Sequence, residues 1–187
     1  MKTYTLLYAL LFFVISPTFS QEVEEPDNHV LSKKNHLGVN MGSTTGMGLS
    51  YKYFGRKLGV QITGIPVFQG NGYYFVSTGL TALYRIKTSD HIDLVSYLGN
   101  HMIFSRTNGY QSANVQPFGP STPVYPEDPE ATVESTHYNI GLGAGVDIHL
   151  SRFLDMSIKA GYGLYDLNHG SNAYTSIALE FGMYYRF

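Results

Sequence analysis

Residues Thr175 to Phe187 read T-S-I-A-L-E-F-G-M-Y-Y-R-F, and this stretch decides the fold of a chain of 187 residues. Every odd position from 177 onward is apolar or aromatic: Ile177, Leu179, Phe181, Met183, Tyr185 and Phe187. The positions between them are mostly small or charged: Ser176, Ala178, Glu180, Gly182, Tyr184 and Arg186. Because side chains of a β-strand point alternately to its two faces, the stretch predicts a strand with one apolar and one polar face. Such a strand is expected in the wall of a membrane-spanning β-barrel.

Seven earlier segments show the same alternation and are separated by turn residues such as Gly, Asn and Pro. They are residues 36–42, 47–54, 57–65, 73–86, 91–104, 134–150 and 153–165. The third is predicted to end before Pro66, because proline cannot donate a hydrogen bond to the ladder. The fifth is apolar on both faces, so its register stays open at this stage. Together with 175–187, these segments predict eight strands.

The connections between the segments fall into two sets. Those after the second, fourth and sixth segments span about two to four residues, whereas most of the others are longer, and 105–133 reaches roughly thirty. Short periplasmic turns and long external loops are typical of outer-membrane barrels, whose strand number is even. The two sets therefore predict that both chain termini lie on the periplasmic side and that 105–133 is an external loop.

The polar face of the strands indicates which side points outward. It is rich in glycine, with Gly141, Gly143 and Gly145 on one segment and Gly161 and Gly163 on the next. Glycine weakens an exposed strand face, whereas small residues make room inside a narrow eight-stranded cylinder. The same face carries charges of both signs, expected to form a network in the lumen: Lys52, Arg85, Asp147, Asp155, Lys159, Glu180 and Arg186.

These observations predict an all-β chain that forms an eight-stranded antiparallel up-and-down transmembrane β-barrel. The alternative is a soluble barrel with an apolar interior, and the glycines and charges of the polar face argue against it. Within the predicted lumen, Glu180 is expected to form an ion pair with Arg186 or Lys159.

Composition excludes several function classes. The chain has no Cys, so it has no disulfide, thiolate metal site, cysteine nucleophile or cysteine-linked lipid anchor. Its net charge of −2 gives no reason to expect binding to nucleic acid. The histidines show no metal-ligand spacing, and neither a metal nor another cofactor is predicted.

The N-terminal residues are expected to lie outside the barrel. Residues 1–20 have a positive start, an apolar run and small residues before Gln21, which predicts a signal peptide cleaved after Ser20. Residues 21–35 are acidic at first and contain Pro26, so they are interpreted as a flexible periplasmic lead-in. The barrel is then expected to span residues 36–187.

With its eight segments and its Tyr184-Tyr185-Arg186-Phe187 ending, the chain resembles the small eight-stranded outer-membrane barrels of the OmpA/OmpX type over residues 36–187. The resemblance implies a monomer in the outer membrane of a Gram-negative bacterium, surrounded by lipid and lipopolysaccharide. It also implies that the barrel assembly machinery contacts Tyr185 and Phe187. Proteins of this type include structural proteins, adhesins and a few lipid-modifying enzymes.

The long loop has a regular proline pattern, with Pro117, Pro120, Pro123, Pro126 and Pro129 spaced by three residues. Three residues per turn is the repeat of a polyproline II helix. One hypothesis is a semi-rigid external arm that presents Phe118 and Tyr125 to an extracellular partner. The alternative is a solvated loop in which the prolines prevent strand pairing.

A second motif, residues 168–173, resembles the His-x-Ser-Asn element of the outer-membrane lipid A deacylases. The resemblance implies His169 as base and Ser171 as nucleophile, with Glu180 the one later acidic residue. Ordinary turn chemistry of Asn, Gly and Ser is the alternative. The favoured function is a non-enzymatic surface protein for envelope structure and loop-mediated contact or adhesion. A lipid A deacylase-like esterase is the alternative, and a small pore is the third hypothesis.

Overall fold

The chain folds into a closed barrel of eight antiparallel strands, each paired with its neighbours in sequence, and β1 pairs with β8. The computed structural model describes residues 34–69, 73–108, 132–168 and 173–187. The strands are β1 (Asn35–Gly42), β2 (Gly46–Phe54), β3 (Leu58–Gln69), β4 (Tyr73–Thr88), β5 (Ile92–Asn108), β6 (Thr132–His149), β7 (Leu154–Tyr165) and β8 (Tyr174–Arg186). The predicted fold class is confirmed. Within the described residues, no helix is both long and apolar enough to cross a membrane.

The register of the strands makes the barrel narrow and tilts its strands steeply against the barrel axis. A row of directly paired residues that starts at His36 on β1 reaches Ser176 on β8, whereas His36 itself pairs with Arg186, ten residues further along that strand. The row passes through Lys52, Gln61, Thr81, Gly99, Gly141 and Gly163. With about 3.3 Å per residue and about 4.8 Å between strands, this shift tilts the strands by roughly 41°. The interior of an eight-stranded barrel is narrow, and side chains are enough to fill it.

The two faces of the wall have opposite polarity, as predicted. Apolar side chains point outward and are exposed on every strand, for example Leu49, Leu80, Leu142 and Ile177. Polar and charged side chains point inward and are buried. A barrel with this polarity matches a hydrocarbon surrounding rather than water.

The strand whose register was open follows the same rule with one difference. Asp93 and His101 of β5 point inward, but so do Val95 and Tyr97 between them. Val95 and Tyr97 join inward-facing residues of β2 and β4, Phe54 and Leu83, in a buried apolar cluster. The ambiguous pattern of β5 therefore reflects a lumen that is partly apolar at this level.

The prediction that Pro66 ends the third strand is wrong. β3 continues to Gln69, and Pro66 pairs with Val76 of β4. The pairing of β3 with β2 stops at Gly64, so Pro66 lies on a stretch with a neighbouring strand on one side. A residue without an N–H group is tolerated at such an edge.

The boundaries of the predicted external loop 105–133 also need correction. β5 extends to Asn108 and β6 begins at Thr132, which shortens the connection to 109–131. The Ser105 and Ser135 hydroxyls, 2.8 Å apart, form a hydrogen bond between the two strands. Beside them, Arg106 Nε lies 3.7 Å from Glu134 Oε1. These cross-strand contacts continue the ladder beyond the predicted strand ends.

Candidate functional site: the barrel lumen and its rims

The chain between β1 and β2 turns into the lumen. We call the end with the first residue of β1 and the last of β8 the near end, and the opposite end the far end. The connection at the far end, Ser43–Thr45, is buried, and Thr44 and Thr45 are 0% exposed. Gly46 and Gly48 follow with φ of 88° and 123°, conformations that side chains of L-residues rarely adopt. These two glycines allow the start of β2 to bend inward, so the turn closes the lumen from inside.

Four strands on the opposite wall make room for this turn. Each carries an inward-facing glycine at the level of the turn, and these are Gly79, Gly99, Gly141 and Gly163. A β-carbon on Gly99 would lie 2.7 Å from the carbonyl oxygen of Thr44, and one on Gly141 would collide with the Thr44 side chain. Gly99, Gly141 and Gly163 are directly paired across β5, β6 and β7. Some of the glycines that identified the lumen face therefore make the space into which residues 43–45 fit. We call residues 43–45 the plug.

Polar side chains from several strands hold the plug. The Thr44 hydroxyl donates to Glu180 Oε1 at 2.6 Å, and the Thr45 hydroxyl donates to the other carboxylate oxygen. Asn40 donates to the Thr45 hydroxyl at 2.9 Å. The Tyr165 hydroxyl lies 2.8 Å from Ser43 Oγ. The side chains of His101 and Asn139 lie 3.0 and 3.3 Å from the Ser43 carbonyl oxygen. The turn is thus bonded to the wall on opposite sides.

The expected ion pair of Glu180 is not formed. The carboxylate of Glu180 is held by hydroxyls of the turn, whereas Arg186 lies at the near end, where its Nε is 3.7 Å from Asp155 Oδ1. Lys159 is directly paired with Glu180 across β7 and β8, but its Nζ donates to Gln61 Oε1 at 3.1 Å. Parity along the strands placed Glu180 in the lumen but could not show that the β1–β2 turn would reach it.

Below the plug, buried charges neutralise one another. Lys52 Nζ lies 3.1 Å from both carboxylate oxygens of Asp147 on the opposite wall. The same ammonium lies 4.2 Å from the centre of the Tyr184 ring, a cation–π contact. A buried charge without a partner is strongly unfavourable, so this pair is a condition for closing the barrel around it.

A second ionic cluster closes the near end. Arg85 Nε lies 2.9 Å from Asp93 Oδ2. Asp155 receives three partners, with His36 Nδ1 at 3.0 Å, His149 Nδ1 at 2.9 Å and Arg186 at the longer distance given above. Asp93, His36 and His149 are partners that the sequence analysis did not assign. The parity of β1 and β6 could have placed the two histidines, whereas Asp93 lies on the strand with the open register.

The far rim is organised around the start of the β7–β8 connection. Asp166 has a φ of 58°, and its carboxylate is hydrogen-bonded to His137 Nδ1. Asn168 accepts from the Tyr138 amide at 3.1 Å and donates to the carbonyl of Thr136. These contacts attach the connection to β6 where that strand rises beyond β7.

The predicted site residues can now be placed. All seven charges of the lumen network are buried inside the barrel. The structure groups them as Lys52 with Asp147, Lys159 near Gln61, Arg85 and the Asp155–Arg186 pair at the near end, and Glu180 under the plug. Tyr185 and Phe187 point outward at the near end, where the Tyr185 ring stacks on Phe153 and Phe187. His169, Ser171, Phe118 and Tyr125 lie outside the described residues.

No group of three or more His, Asp and Glu side chains within the described ranges could hold a metal ion.

Comparison with known proteins gives information on the fold and none on the function. No protein-family model matches the chain, and no curated protein sequence is significantly similar to it. Among solved structures, the N-terminal β-barrel domain of Pseudomonas aeruginosa OprF matches with a TM-score of 0.50 and 11% identity, covering 82% of this chain and 96% of that one. Ail of Yersinia pestis matches at 0.43 and 15% (83% and 97% covered), and Neisserial surface protein A at 0.42 and 14% (82% and 95%). The match with the OprF domain, together with the strand order, shows that the chain has the fold of a small eight-stranded outer-membrane barrel.

The plug can be tested by filling its seat. We expect Gly79→Val to destabilise the barrel, because a β-carbon there would collide with the carbonyl oxygen of Thr45. Overpacking of this kind costs about 1–3 kcal/mol, and more where backbone must move. Urea unfolding in lipid vesicles measures the loss. Ala82→Val on the outward face of the same strand is the matched control, and equal stability of the two variants would contradict the plug.

The buried ion pair predicts a contrast with an exposed one. We expect Asp147→Asn to lower the free energy of unfolding by about 3–5 kcal/mol, because Lys52 would be left buried without its counter-charge. Glu134→Gln neutralises one partner of Arg106 at the far rim, where the Glu134 side chain is 65% exposed, and should change stability by less than about 1 kcal/mol. The same unfolding assay compares the two, and a small effect of Asp147→Asn would mean that the lumen is hydrated around Lys52.

Proposed function

We propose that this chain is an outer-membrane surface protein without enzymatic activity, which supports the cell envelope and makes external contacts through its far end. The observation that carries the proposal is the inverted polarity of the barrel. Its exposed outer surface is apolar and its buried interior is ionic. Such a surface is stable in the hydrocarbon of a bilayer and would aggregate in water.

The orientation proposed for the barrel places the near end in the periplasm. The connections there are short on all three hairpins, at 55–57, 89–91 and 150–153. The far end carries the connection at 109–131, which is the longest of the barrel. The resemblance to small outer-membrane barrels supports short periplasmic turns, a preceding signal peptide and a monomer in contact with lipopolysaccharide. It also supports recognition of Tyr185 and Phe187 by the barrel assembly machinery.

The far end offers a platform for external contact. β4 pairs with β5 as far as Arg106, and β7 pairs with β6 as far as Ile140. Residues 132–139 of β6 therefore extend beyond β7 and form, with β5, a hairpin that rises above the rest of the wall. This hairpin would carry the proline-rich loop, with Phe118 and Tyr125, away from the membrane surface. An extended, partly rigid loop suits a contact with another macromolecule.

The two other hypotheses have less support. A pore needs a continuous water path, whereas the plug and the ionic pairs below it occupy the lumen of the described barrel. A deacylase would need a carboxylate that orients His169, and Glu180 is 0% exposed beneath the plug. Loss of ester-linked acyl chains from lipid A, absent in Ser171→Ala, would nevertheless establish the hydrolase and overturn the non-enzymatic proposal.

The orientation can be tested with epitope tags on intact cells. We expect a tag inserted between Gly119 and Pro120 to bind antibody on intact cells, because the far end is external. A tag inserted after Asp27 should bind only after the outer membrane is permeabilised. Flow cytometry measures both, and the opposite labelling pattern would contradict the proposed orientation.

External contact can be tested by shortening the loop. We expect replacement of residues 109–131 by a short Gly-Ser turn to reduce attachment of a non-adherent Gram-negative host that expresses the protein, because the hairpin would lose its contact segment. Counts of bacteria bound to isogenic cells and to cultured epithelial cells measure attachment. Phe118→Ser with Tyr125→Ser keeps the prolines and tests the aromatic side chains alone. Attachment equal to that of the unaltered protein, at equal surface amount, would refute loop-mediated contact.

A further inference from the structure

The near end of β3 and β4 carries a cluster of exposed cations. Arg56 and Lys57 lie in the connection that leads into β3, and Lys87 lies close to the end of β4. The Lys57 carbonyl oxygen accepts a hydrogen bond from the Arg85 amide at 2.8 Å, so the two strand ends lie side by side. We call Arg56, Lys57 and Lys87 the basic patch. Asp90 is the one acidic side chain exposed at the near end of the described barrel, so the patch has an excess of positive charge.

A β-bulge turns Lys87 toward the outer face of the barrel. Before the bulge, Arg85 is paired with Val95, and both are buried in the lumen. After the register shift, Lys87 is paired with Leu94, which is exposed on the outer face. Directly paired residues lie on the same face of a sheet, so Lys87 belongs to the outer face, although regular alternation from Arg85 would place it inside. Bulges often re-aim a side chain in this way.

The basic patch lies at the level where hydrocarbon meets lipid headgroups. Leu58, which follows Lys57, and Phe68, toward the other end of β3, both point outward and are 66% and 75% exposed. At about 3.3 Å per residue and a tilt of roughly 41°, the stretch between them spans about 25 Å along the barrel axis. This is about the height of the lipid-facing band of such barrels, so Leu58 marks its near boundary. Lys57 and Lys87 therefore lie just beyond the hydrocarbon, in the layer of lipid phosphates.

The outward residues next to the patch suit the remaining parts of a lipid. Tyr84 is directly paired with Leu58, and both are exposed on the outer face together with Ile86. A tyrosine at this level can pack its ring against an acyl chain and donate its hydroxyl to an ester or phosphate oxygen. The lysines can extend their apolar stems along the wall and keep their ammonium groups among the headgroups. The patch and the wall below it thus form one amphipathic surface.

We propose that the basic patch binds the headgroup of an anionic glycerophospholipid in the leaflet at the near end. Lys57 and Lys87 contact the phosphate, and Tyr84 and Leu58 contact the glycerol region and the first part of an acyl chain. The occupant is a lipid rather than a soluble acidic partner, because the bulge directs Lys87 to the outer face, where the neighbour is a lipid. An anionic lipid is preferred, because a zwitterionic headgroup carries its own cation, which competes with the lysines for the phosphate. The proposal rests on the membrane location proposed above.

The chain contains no Trp, so a single substitution creates a local reporter. Leu58→Trp places the reporter beside the basic patch, and Phe68→Trp places it on the same strand at the other interface. Each variant is reconstituted in phosphatidylcholine vesicles that contain phosphatidylglycerol with chains brominated close to the glycerol. Bromine quenches Trp fluorescence on contact, so quenching measures how often this anionic lipid is next to each reporter. Each value is divided by the quenching of the same variant in vesicles of brominated phosphatidylcholine.

We expect Leu58→Trp to be quenched at least about twice as much as Phe68→Trp when roughly one lipid in ten is phosphatidylglycerol, because each cation near a membrane surface favours anionic lipid severalfold. Salt at about 0.5 M should bring the two values together, because it screens exposed charges. Equal quenching of both reporters at low salt would overturn the proposal. Absence of quenching by brominated phosphatidylcholine in both variants would refute the membrane location instead.

A second substitution tests the patch itself. Lys87→Gln in the Leu58→Trp protein should remove at least about half of the excess quenching, because the outward cation is lost. Arg152→Gln is the matched control, since it removes an exposed cation from the connection of β6 and β7 at the same end, and it should preserve the excess. If Lys87→Gln also preserves the excess, or if both variants reduce it equally, the lipid is not held at the basic patch and the proposal fails.

Discussion

The pairing of β1 with β8 is the constraint on which the rest of this structure depends. In hydrocarbon, each backbone N–H and C=O group must find its partner within the protein, so a sheet is viable only when it closes on itself. Closure with eight strands and a displacement of ten residues fixes a narrow, tilted cylinder. The sequence then has to satisfy two surfaces at once, an apolar outside and a narrow, largely polar inside.

The lumen is filled in two different ways. Toward the near end, long charged side chains meet across the lumen, as Lys52 meets Asp147, and neutralise each other where water is excluded. Toward the far end, the backbone itself fills the space. Thr44 and Thr45 enter between strands that carry glycine, and Glu180 binds their hydroxyls. A carboxylate in this position is solvated by the protein rather than paired with a cation.

Much of this could be predicted because strand periodicity is a local property. Alternation placed all eight strands and assigned the seven lumen charges to the inner face, since each position depends on its neighbours two residues away. The partners of those charges depend on register and shear, which are set across the barrel. The pairing of Glu180 with Thr44 rather than Lys159 is an example, because it requires the β1–β2 turn to bend inward. Alternation contains no information on that bend.

The errors at strand ends have a related cause. Pro66 was expected to stop β3, and it would do so in a strand with neighbours on both sides. It does not stop β3 here, because the pairing of β3 with β2 already ends at Gly64, two residues before the proline. The opposite error occurs in β5, which is longer than predicted. Ser105 and Arg106 have the sequence of a loop, but they are paired across the hairpin with Ser135 and Glu134. Strand length thus depends on the neighbouring strand as much as on the residues of the strand itself.

The short β1–β2 hairpin links the filled lumen to the uneven wall. A turn that bends inward plugs the barrel, and the same bend removes two strands from the wall above Gly64 and Glu180. The hydrogen bonds that the turn makes inside therefore come with less strand pairing in the wall, where β3 beyond Gly64 still pairs with β4 and β8 before Glu180 still pairs with β7. A filled lumen and a wall of uneven height are thus two consequences of one bend in the chain.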